Sequence, residues 1–319
     1  MGNKTTLARS IELVSEKEKY DAACKKILAE KIILAWIMKH TVKEYAKYTV
    51  QEIAEKYILG NAQISEVWIM PDETNAPRMA GTGVEDCSVY EGTIMFDIQF
   101  HAMIPSSNNN GVTKMIINVE AQDDFYPGYP IVKRGIYYCG RMISSQYGTV
   151  FTNSHYEKIQ KVYSIWICTS PPAYRRNSIT KYAVKEENIV GNVEEMEENY
   201  DLLTTILICL GKDSDCEKGK ENQLLKLLDV LLSPEKNVVE KKNVLENEFH
   251  ISMTEEMEGE LKDMCNLSDG VERRGIEKGT LQTKKTLVKN MLKENISMDT
   301  ICRVAECDEA FVEQVKSEM

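Results

Sequence analysis

The sequence has little of what several classes of functional site require. It contains four histidines, and none of its nine cysteines forms a Cys-x-x-Cys pair, so a zinc site has little support. No glycine-rich phosphate loop is present, which argues against nucleotide triphosphate chemistry. The longest apolar helical stretch, near IILAWIM, is too short to span a bilayer. We therefore expect no zinc centre, no P-loop and no membrane partner.

The chain also lacks an excess of basic residues. Its 39 lysines and arginines are outnumbered by 50 acidic residues, giving a formal net charge of −11 at pH 7. Nucleic-acid-binding proteins usually carry a basic footprint. Binding of a nucleic acid would therefore require the positive groups to be concentrated on one face. The candidates for such a face are Lys133, Arg134, Arg141, Arg175 and Arg176.

The first residues are polar and charged, which is not typical of a secretory signal. This predicts a cytoplasmic protein whose cysteines are reduced and largely fill the core. With 319 residues, 43% of them hydrophobic, the chain can bury one large core or two modest ones.

The most informative stretch is residues 89–146. A run rich in β-branched and aromatic residues, 93–104, ends at a proline and is followed by a polar loop and a second apolar run, 115–119. This pattern predicts a β-hairpin. Asp97 lies within the first run and Glu120 closes the second, and Glu120 and Gln122 point to the same face of a strand because they are two residues apart.

Two carboxylates on neighbouring strands suit a single hard cation such as Mg²⁺, which prefers oxygen ligands and keeps several waters. Asp97 and Glu120 would supply the carboxylates and the backbone carbonyl of Ala121 a third ligand, while Gln122 would orient a metal-bound water. The alternative interpretation is that both acids are solvated residues at strand ends.

A helix is predicted after the hairpin, and it carries Arg134, Tyr137, Tyr138 and Arg141 on one face at i, i+3, i+4 and i+7. One interpretation places Arg134 near the metal centre, in contact with a phosphate or an active-site carboxylate. The other makes the tyrosines packing residues and the arginines salt-bridge partners.

The remaining patterns predict a mixed sheet. Residues 64–70 are expected to form a first strand, residues 162–168 a strand buried on both faces, and residues 177–187 a strand of alternating polarity. Together with the helices these give an α/β core. From residue 201 the sequence is interpreted as helical, beginning with a helix at 201–211 and ending in a helical hairpin. The predicted domains are 1–200 and 201–319.

Several motifs resemble one known family. FDIQF, NVEAQ and R-x-x-YY, together with VKRGIYYCGRMISSQYG and KVYSIWICTSPP, resemble the PD-(D/E)xK nuclease family transposases, or Rpn recombination-promoting nucleases. By this resemblance Asp97 matches the strand aspartate and Glu120 the acid of the E-x-K element. Gln122 stands where the wider superfamily has lysine, and this branch commonly has E-x-Q.

The resemblance implies a restriction-endonuclease-like fold, a mixed sheet flanked by helices, followed here by an all-α C-terminal region. It also implies magnesium-dependent DNA cleavage, with manganese as a possible substitute, in recombination or mobile-element biology. Asp97, Glu120, Gln122 and Arg134 would form the site. Because cutting both strands needs two sites or two visits, a homodimer is a further expectation. The alternative is a weak or inactive member that acts as a DNA-binding or protein-interaction module, since Gln122 carries no charge.

Overall fold

A computed structural model describes residues 19–64, 85–88, 92–95, 97–105, 114–211, 222–233, 236–294, 296–305 and 307–317. The chain divides into two compact units, residues 20–265 and residues 1–19 with 266–319. Apart from Ile64, the first strand predicted at residues 64–70 lies outside the described residues.

The larger unit is built on a six-stranded mixed sheet with the strand order β1-β4-β5-β6-β8-β7. Strands β5, β6 and β8 run parallel, and the other neighbouring pairs are antiparallel. A separate ribbon pairs β2 with β3. The α/β class predicted from the sequence is therefore confirmed. The strands are β1 Ile58–Ile64, β2 Glu85–Ser88, β3 Gly92–Met95, β4 Ile98–Met103, β5 Lys114–Asp124, β6 Val162–Ser170, β7 Ser178–Ala183 and β8 Leu203–Cys209.

The hairpin and the buried strand predicted from the sequence are both present. Strands β4 and β5 pair antiparallel with Ile98 opposite Val119. Strand β6 lies between β5 and β8, and residues 162–168 are all buried. The first apolar run differs from its prediction because it is divided between β3 and β4. As a result Asp97 does not lie within a strand but immediately before β4.

The helix predicted at residues 201–211 is wrong, because this segment forms strand β8. Its apolar run, which includes the buried residues Ile206, Leu207 and Ile208, packs against helices on both faces of the sheet. A short continuous apolar run cannot be assigned to strand or buried helix from periodicity alone. The sheet consequently extends beyond the domain boundary predicted at residue 200.

Helices cover both faces of this sheet. Because strand side chains alternate, Ile116, Trp166 and Leu207 belong to the core under α4, whereas Ile117 and Ile165 belong to the core under α1, α2 and α6.

No helix in the described part of the chain is long and apolar enough to cross a membrane. The helices are α1 at residues 19–28, α2 Lys31–Thr41, α3 Val50–Glu52, α4 Ile131–Ser144, α5 Glu197–Tyr200, α6 Gln223–Leu232, α7 Val238–Asn247, α8 Glu255–Lys293, α9 Met298–Ala305 and α10 Glu309–Ser317.

The smaller unit contains a helical hairpin, as predicted. Helices α9 and α10 pack with the later part of α8 around a small apolar core. Asp308 begins α10 by accepting a 2.9 Å hydrogen bond from the backbone N–H of Phe311. This acid therefore has a capping role at the helix start. The buried residues of the core are Val288, Ile301, Ala305, Val312 and Val315.

A buried cluster of charges joins the start of β6 to the segments that precede β8 and follow α2. Lys161 Nζ lies 2.6 Å from Asp201 Oδ2 and 3.1 Å from Glu44 Oε1. Lys43 Nζ lies 3.1 Å from the same Asp201 oxygen. Burial raises the pKa of Asp201, but the hydrogen bonds and charges of the two lysines outweigh burial and hold this pKa below its usual value.

We expect Asp201→Asn to lower the free energy of unfolding by about 3 kcal/mol at neutral pH, because it leaves the buried ammonium of Lys161 without its nearest anion. Urea unfolding followed by circular dichroism measures this change. Since the pKa of Asp201 is lowered by folding, its contribution is complete above about pH 4 and is lost as the pH falls through the folded-state value.

Glu197→Gln is the matched control for Asp201→Asn. Glu197 pairs with Lys43 but its side chain is 60% exposed, so its removal should cost less than about 1 kcal/mol. Equal costs for the two substitutions would show that burial of the cluster does not determine its contribution to stability.

Helix α4 approaches the sheet closely at Gly135. A Cβ atom at this position would lie 2.4 Å from Thr205 Cγ2 and 3.0 Å from Trp166 Nε1. Thr205 is β-branched and buried in β8, so it cannot move aside easily. The absence of a side chain at Gly135 therefore allows α4 to pack directly on β6 and β8.

We expect Gly135→Ala to destabilise the fold by about 2 kcal/mol, because the added methyl group overpacks the contact with Thr205. Gly140→Ala provides the control on the same helix, since a Cβ atom there has nothing within 4 Å. That substitution should instead raise stability by about 0.5–1 kcal/mol through helix propensity. Thermal unfolding of both variants tests the prediction, and a stabilised Gly135→Ala protein would contradict it.

Candidate functional site

The structure brings the two predicted acids together. Asp97 precedes β4 at the point where the adjacent strand reaches Glu120. The backbone N–H of Asp97 donates a 3.0 Å hydrogen bond to Glu120 Oε1, and the N–H of Ala121 donates a 3.4 Å bond to Asp97 Oδ2. Glu120 is 4% exposed and the Asp97 side chain 19%. The hairpin thus holds both carboxylates in a largely buried position.

A lysine from helix α1 pairs with the first of these acids. Lys25 Nζ lies 2.9 Å from Asp97 Oδ1 and 2.8 Å from Asp21 Oδ2, one turn earlier on the same helix. The Lys25 side chain is only 6% exposed. Burial lowers the pKa of Lys25, but the charges of Asp97 and Asp21 outweigh burial and raise it. Lys25 is therefore a permanently charged ammonium at neutral pH.

The electrostatics of the carboxylate pair are dominated by desolvation. Burial raises the pKa of Glu120 well above its usual value, and the charge of Asp97 raises it further, while the Asp97 N–H and the charge of Arg134 act in the opposite direction. Burial also raises the pKa of Asp97, and Lys25 opposes this. Burial thus disfavours the charged forms of both acids, and the charges of Lys25 and Arg134 offset this cost only in part.

Arg134 is held by aromatic residues beside Glu120. Its Nε and Nη2 donate to the Tyr138 hydroxyl at 3.0 and 2.7 Å, and its Nη1 donates to the Tyr129 hydroxyl at 3.0 Å. The guanidinium lies 5.1 Å from the ring centroids of both Tyr138 and Trp166. Its charge influences Glu120, but these hydrogen bonds go to tyrosine hydroxyls and not to a carboxylate.

The other two residues of the predicted arginine–tyrosine face, Tyr137 and Arg141, pair with each other. Arg141 is buried and its Nη1 donates a 3.3 Å hydrogen bond to Tyr137, whose side chain is 47% exposed. One helix face therefore provides two arginine–tyrosine pairs, and the pair formed by Arg134 and Tyr138 is the one beside Glu120.

Gln122 lies two residues after Glu120 on β5 and is half-buried. Strand alternation places Asn118, Glu120 and Gln122 on the face covered by α4. The buried Asn118 lowers the pKa of Glu120, and its Nδ2 lies 3.5 Å from Ser164 Oγ, which also accepts from Trp166 Nε1 at 2.8 Å. A polar row therefore continues along β5 beneath α4.

Within the described residues, no group of three or more His, Cys, Asp or Glu side chains is arranged to hold a metal ion. The two carboxylates supply the oxygen chemistry that Mg²⁺ prefers, and the predicted third ligand, the carbonyl of Ala121, belongs to the residue whose N–H contacts Asp97. Burial is the main cause of the raised pKa of Glu120 and the charge of Asp97 adds to it, so a cation near both acids would favour their charged forms. The donor set therefore fits a magnesium ion, with the ammonium of Lys25 as a competitor for Asp97.

Sequence reasoning missed the contribution of α1 and of the loop before α4. Asp21 and Lys25 show i, i+4 spacing, which is typical of an exposed helix pair and gives no indication of a contact with residue 97. Tyr129 and Trp166 were likewise not recognised as partners of Arg134, because their contacts depend on the packing of α4 against β6.

Comparisons of the chain with protein-family models, with curated proteins and with solved structures find no match.

We expect Lys25→Met to lower the free energy of unfolding by about 3 kcal/mol in buffer containing a chelator, because it leaves the largely buried Asp97 without its cation. Magnesium should restore part of this loss if the two acids bind the ion. Urea unfolding of the variant with chelator and with magnesium measures both effects.

Lys26→Met is the matched control for Lys25→Met, since Lys26 is the next residue of α1 and is exposed. Its stability should change by less than about 0.5 kcal/mol and should not respond to magnesium more than the parent. A Lys25→Met protein as stable as the parent in chelator would contradict the role assigned to this ion pair.

Proposed function

We propose that this chain is a magnesium-dependent DNA endonuclease with a restriction-endonuclease-like fold, acting in recombination or mobile-element biology. The observation that carries the proposal is the pair of acids Asp97 and Glu120, in which the Asp97 N–H donates a 3.0 Å hydrogen bond to Glu120 Oε1, beside the buried Lys25 and the half-buried Arg134. A six-stranded mixed sheet with helices on both faces is compatible with such a fold. Manganese is expected to replace magnesium.

Asp97, Glu120 and the carbonyl of Ala121 would hold the ion. When bound, magnesium would neutralise charge on the phosphodiester and lower the pKa of a coordinated water. The hairpin contributes by fixing the two carboxylates before substrate arrives, because each accepts a hydrogen bond from the backbone beside the other. Pre-arrangement of this kind reduces the reorganisation that the reaction requires.

The neighbouring cations would compensate for Gln122, which can orient a water through its amide but carries no charge. Lys25 provides an ammonium 2.9 Å from Asp97, and that group is close enough to stabilise negative charge that develops at the site. Arg134 has its orientation set by Tyr129 and Tyr138, and it would steady either the scissile phosphate or Glu120.

We expect purified protein with magnesium to nick supercoiled plasmid, and Asp97→Asn and Glu120→Gln each to reduce the rate at least about 100-fold. Both substitutions keep the size of the side chain and remove only the charge that holds the ion. Initial rates of conversion to open-circular plasmid, measured at equal protein concentration, test this expectation.

Glu157→Gln serves as the matched control for the nicking assay, because Glu157 is a 64% exposed acid on the segment before β6 and lies outside the proposed site. It should cleave at the parental rate. Equal cleavage by the parent, Asp97→Asn and Glu120→Gln would assign the activity to another site or to a contaminant and would refute these roles.

A second candidate function is a module that binds DNA or another protein without cleaving. The observation that favours it is the salt bridge from Lys25, which already satisfies Asp97 in the absence of a metal. No nicking with either magnesium or manganese, together with no effect of these ions on the stability of Lys25→Met, would support this second function over the first.

A further inference from the structure

Two exposed tyrosines form a fixed pair at one edge of the sheet. Tyr126 follows β5 and Tyr174 follows β6, and their side chains are 60% and 73% exposed. Because β5 and β6 are parallel neighbours, the segments that follow them lie at the same edge. The two hydroxyls are 2.7 Å apart and hydrogen-bonded, so the rings are held relative to each other.

Each ring of this tyrosine pair is supported from its own loop. The Phe125 ring packs edge-on against Tyr126 with a centroid distance of 5.1 Å, and Phe125 itself packs on the core beneath α4. The guanidinium of Arg175 lies 5.8 Å from the centroid of the Tyr174 ring. Large exposed aromatic side chains that are positioned in this way indicate an interaction site.

The tyrosine pair is connected to the proposed catalytic site by a short loop. Residues 125–130 carry Tyr126 and also Tyr129, whose hydroxyl accepts from Arg134 beside Glu120. The two tyrosines are three positions apart in the sequence, so their Cα atoms lie within about 11 Å of each other. A ligand that contacts Tyr126 is therefore within a few nucleotide lengths of the acids.

Positive charge accompanies these tyrosines although the whole chain is acidic. Arg175 and Arg176 follow Tyr174 directly, and the exposed Lys133 lies in the first turn of α4 next to Arg134. Aromatic faces beside cationic groups suit single-stranded nucleic acid, because unpaired bases stack on the rings while the phosphates contact the cations. Paired bases in a duplex are stacked on one another and do not present their faces in this way.

We propose that Tyr126 and Tyr174 form a stacking platform for unpaired DNA, so that the substrate of this site is single-stranded DNA or a single-stranded segment within a duplex. The choice of DNA rests on the proposed endonuclease function, whereas the preference for unpaired bases rests on the platform. Arg175, Arg176 and Lys133 supply the backbone contacts, and the loop carrying Tyr129 aligns the strand with Asp97 and Glu120.

The test is fluorescence anisotropy with a labelled oligothymidine and with a blunt duplex of equal length, in buffer containing a chelator so that nothing is cleaved. The parent should bind the single strand more tightly than the duplex. Tyr126→Ala and Tyr174→Ala should each weaken binding of the single strand about tenfold, which is the scale of losing one base–aromatic stack.

Two further substitutions separate stacking from other effects. Tyr174→Phe keeps the ring and removes the hydroxyl, so it should retain most of the affinity. Tyr156→Ala removes a tyrosine that is 64% exposed in the segment before β6, at the opposite edge of the sheet, and it should bind as the parent does. The proposal is overturned if the parent and both tyrosine-to-alanine variants bind the single strand equally, or if the parent binds the duplex more tightly. A labelled oligouridine is measured as well, and tighter binding of oligouridine than of oligothymidine would also overturn the proposal.

The binding assay and the nicking assay fail independently. If the protein binds single strands through the tyrosines but never nicks plasmid, the platform is retained and the endonuclease function is lost. If plasmid is nicked through Asp97 and Glu120 while the tyrosine variants bind and cleave as the parent does, the endonuclease function is retained and the platform is lost.

Discussion

The salt bridge between Lys25 and Asp97 is the interaction on which the candidate site depends. This carboxylate lies beside the buried Glu120, and two such groups cannot both remain ionised without nearby cations. Lys25 reaches Asp97 from α1, whereas Arg134 approaches Glu120 from α4. Because these helices cover opposite faces of the sheet, the site is complete only when both layers have packed. The electrostatics of the site and the folding of the larger unit are therefore coupled.

The two ends of the parallel strands carry polar clusters that differ in their electrostatics. At the start of β6, Lys161 is enclosed by Glu44 and Asp201, and the pKa of Asp201 is lowered, so this cluster is satisfied by its own counter-ions. Toward the ends of the strands, Asp97 and Glu120 have raised pKa values. Burial is the main cause of both shifts, and a buried acid with a perturbed pKa and a specific charge partner is a candidate for a functional site. The contrast is the reason to place the chemistry at the second cluster.

Much of the local structure was predictable. The hairpin, the buried strand β6, the strand β7 and the helix carrying Arg134 all follow from short-range patterns of polarity. The errors occurred where a pattern has two solutions. The apolar run at residues 203–209 satisfies either a strand or a buried helix, and only its pairing with β6 and β7 determines that it is a strand. The restriction-endonuclease-like fold itself stays a prediction.

Glu120 and Gln122 share a strand face, and Arg134 and Tyr138 share a helix face, because both relations depend only on the period of the backbone and so follow from the sequence. The pairing of Lys25 with Asp97, 72 residues along the chain, and the contact of Tyr126 with Tyr174 arise only in the folded protein. Such contacts depend on which strands become neighbours and how closely the helices pack on them. Gly135 illustrates the point, because its missing side chain brings α4 onto the sheet, and with it Arg134 onto Trp166.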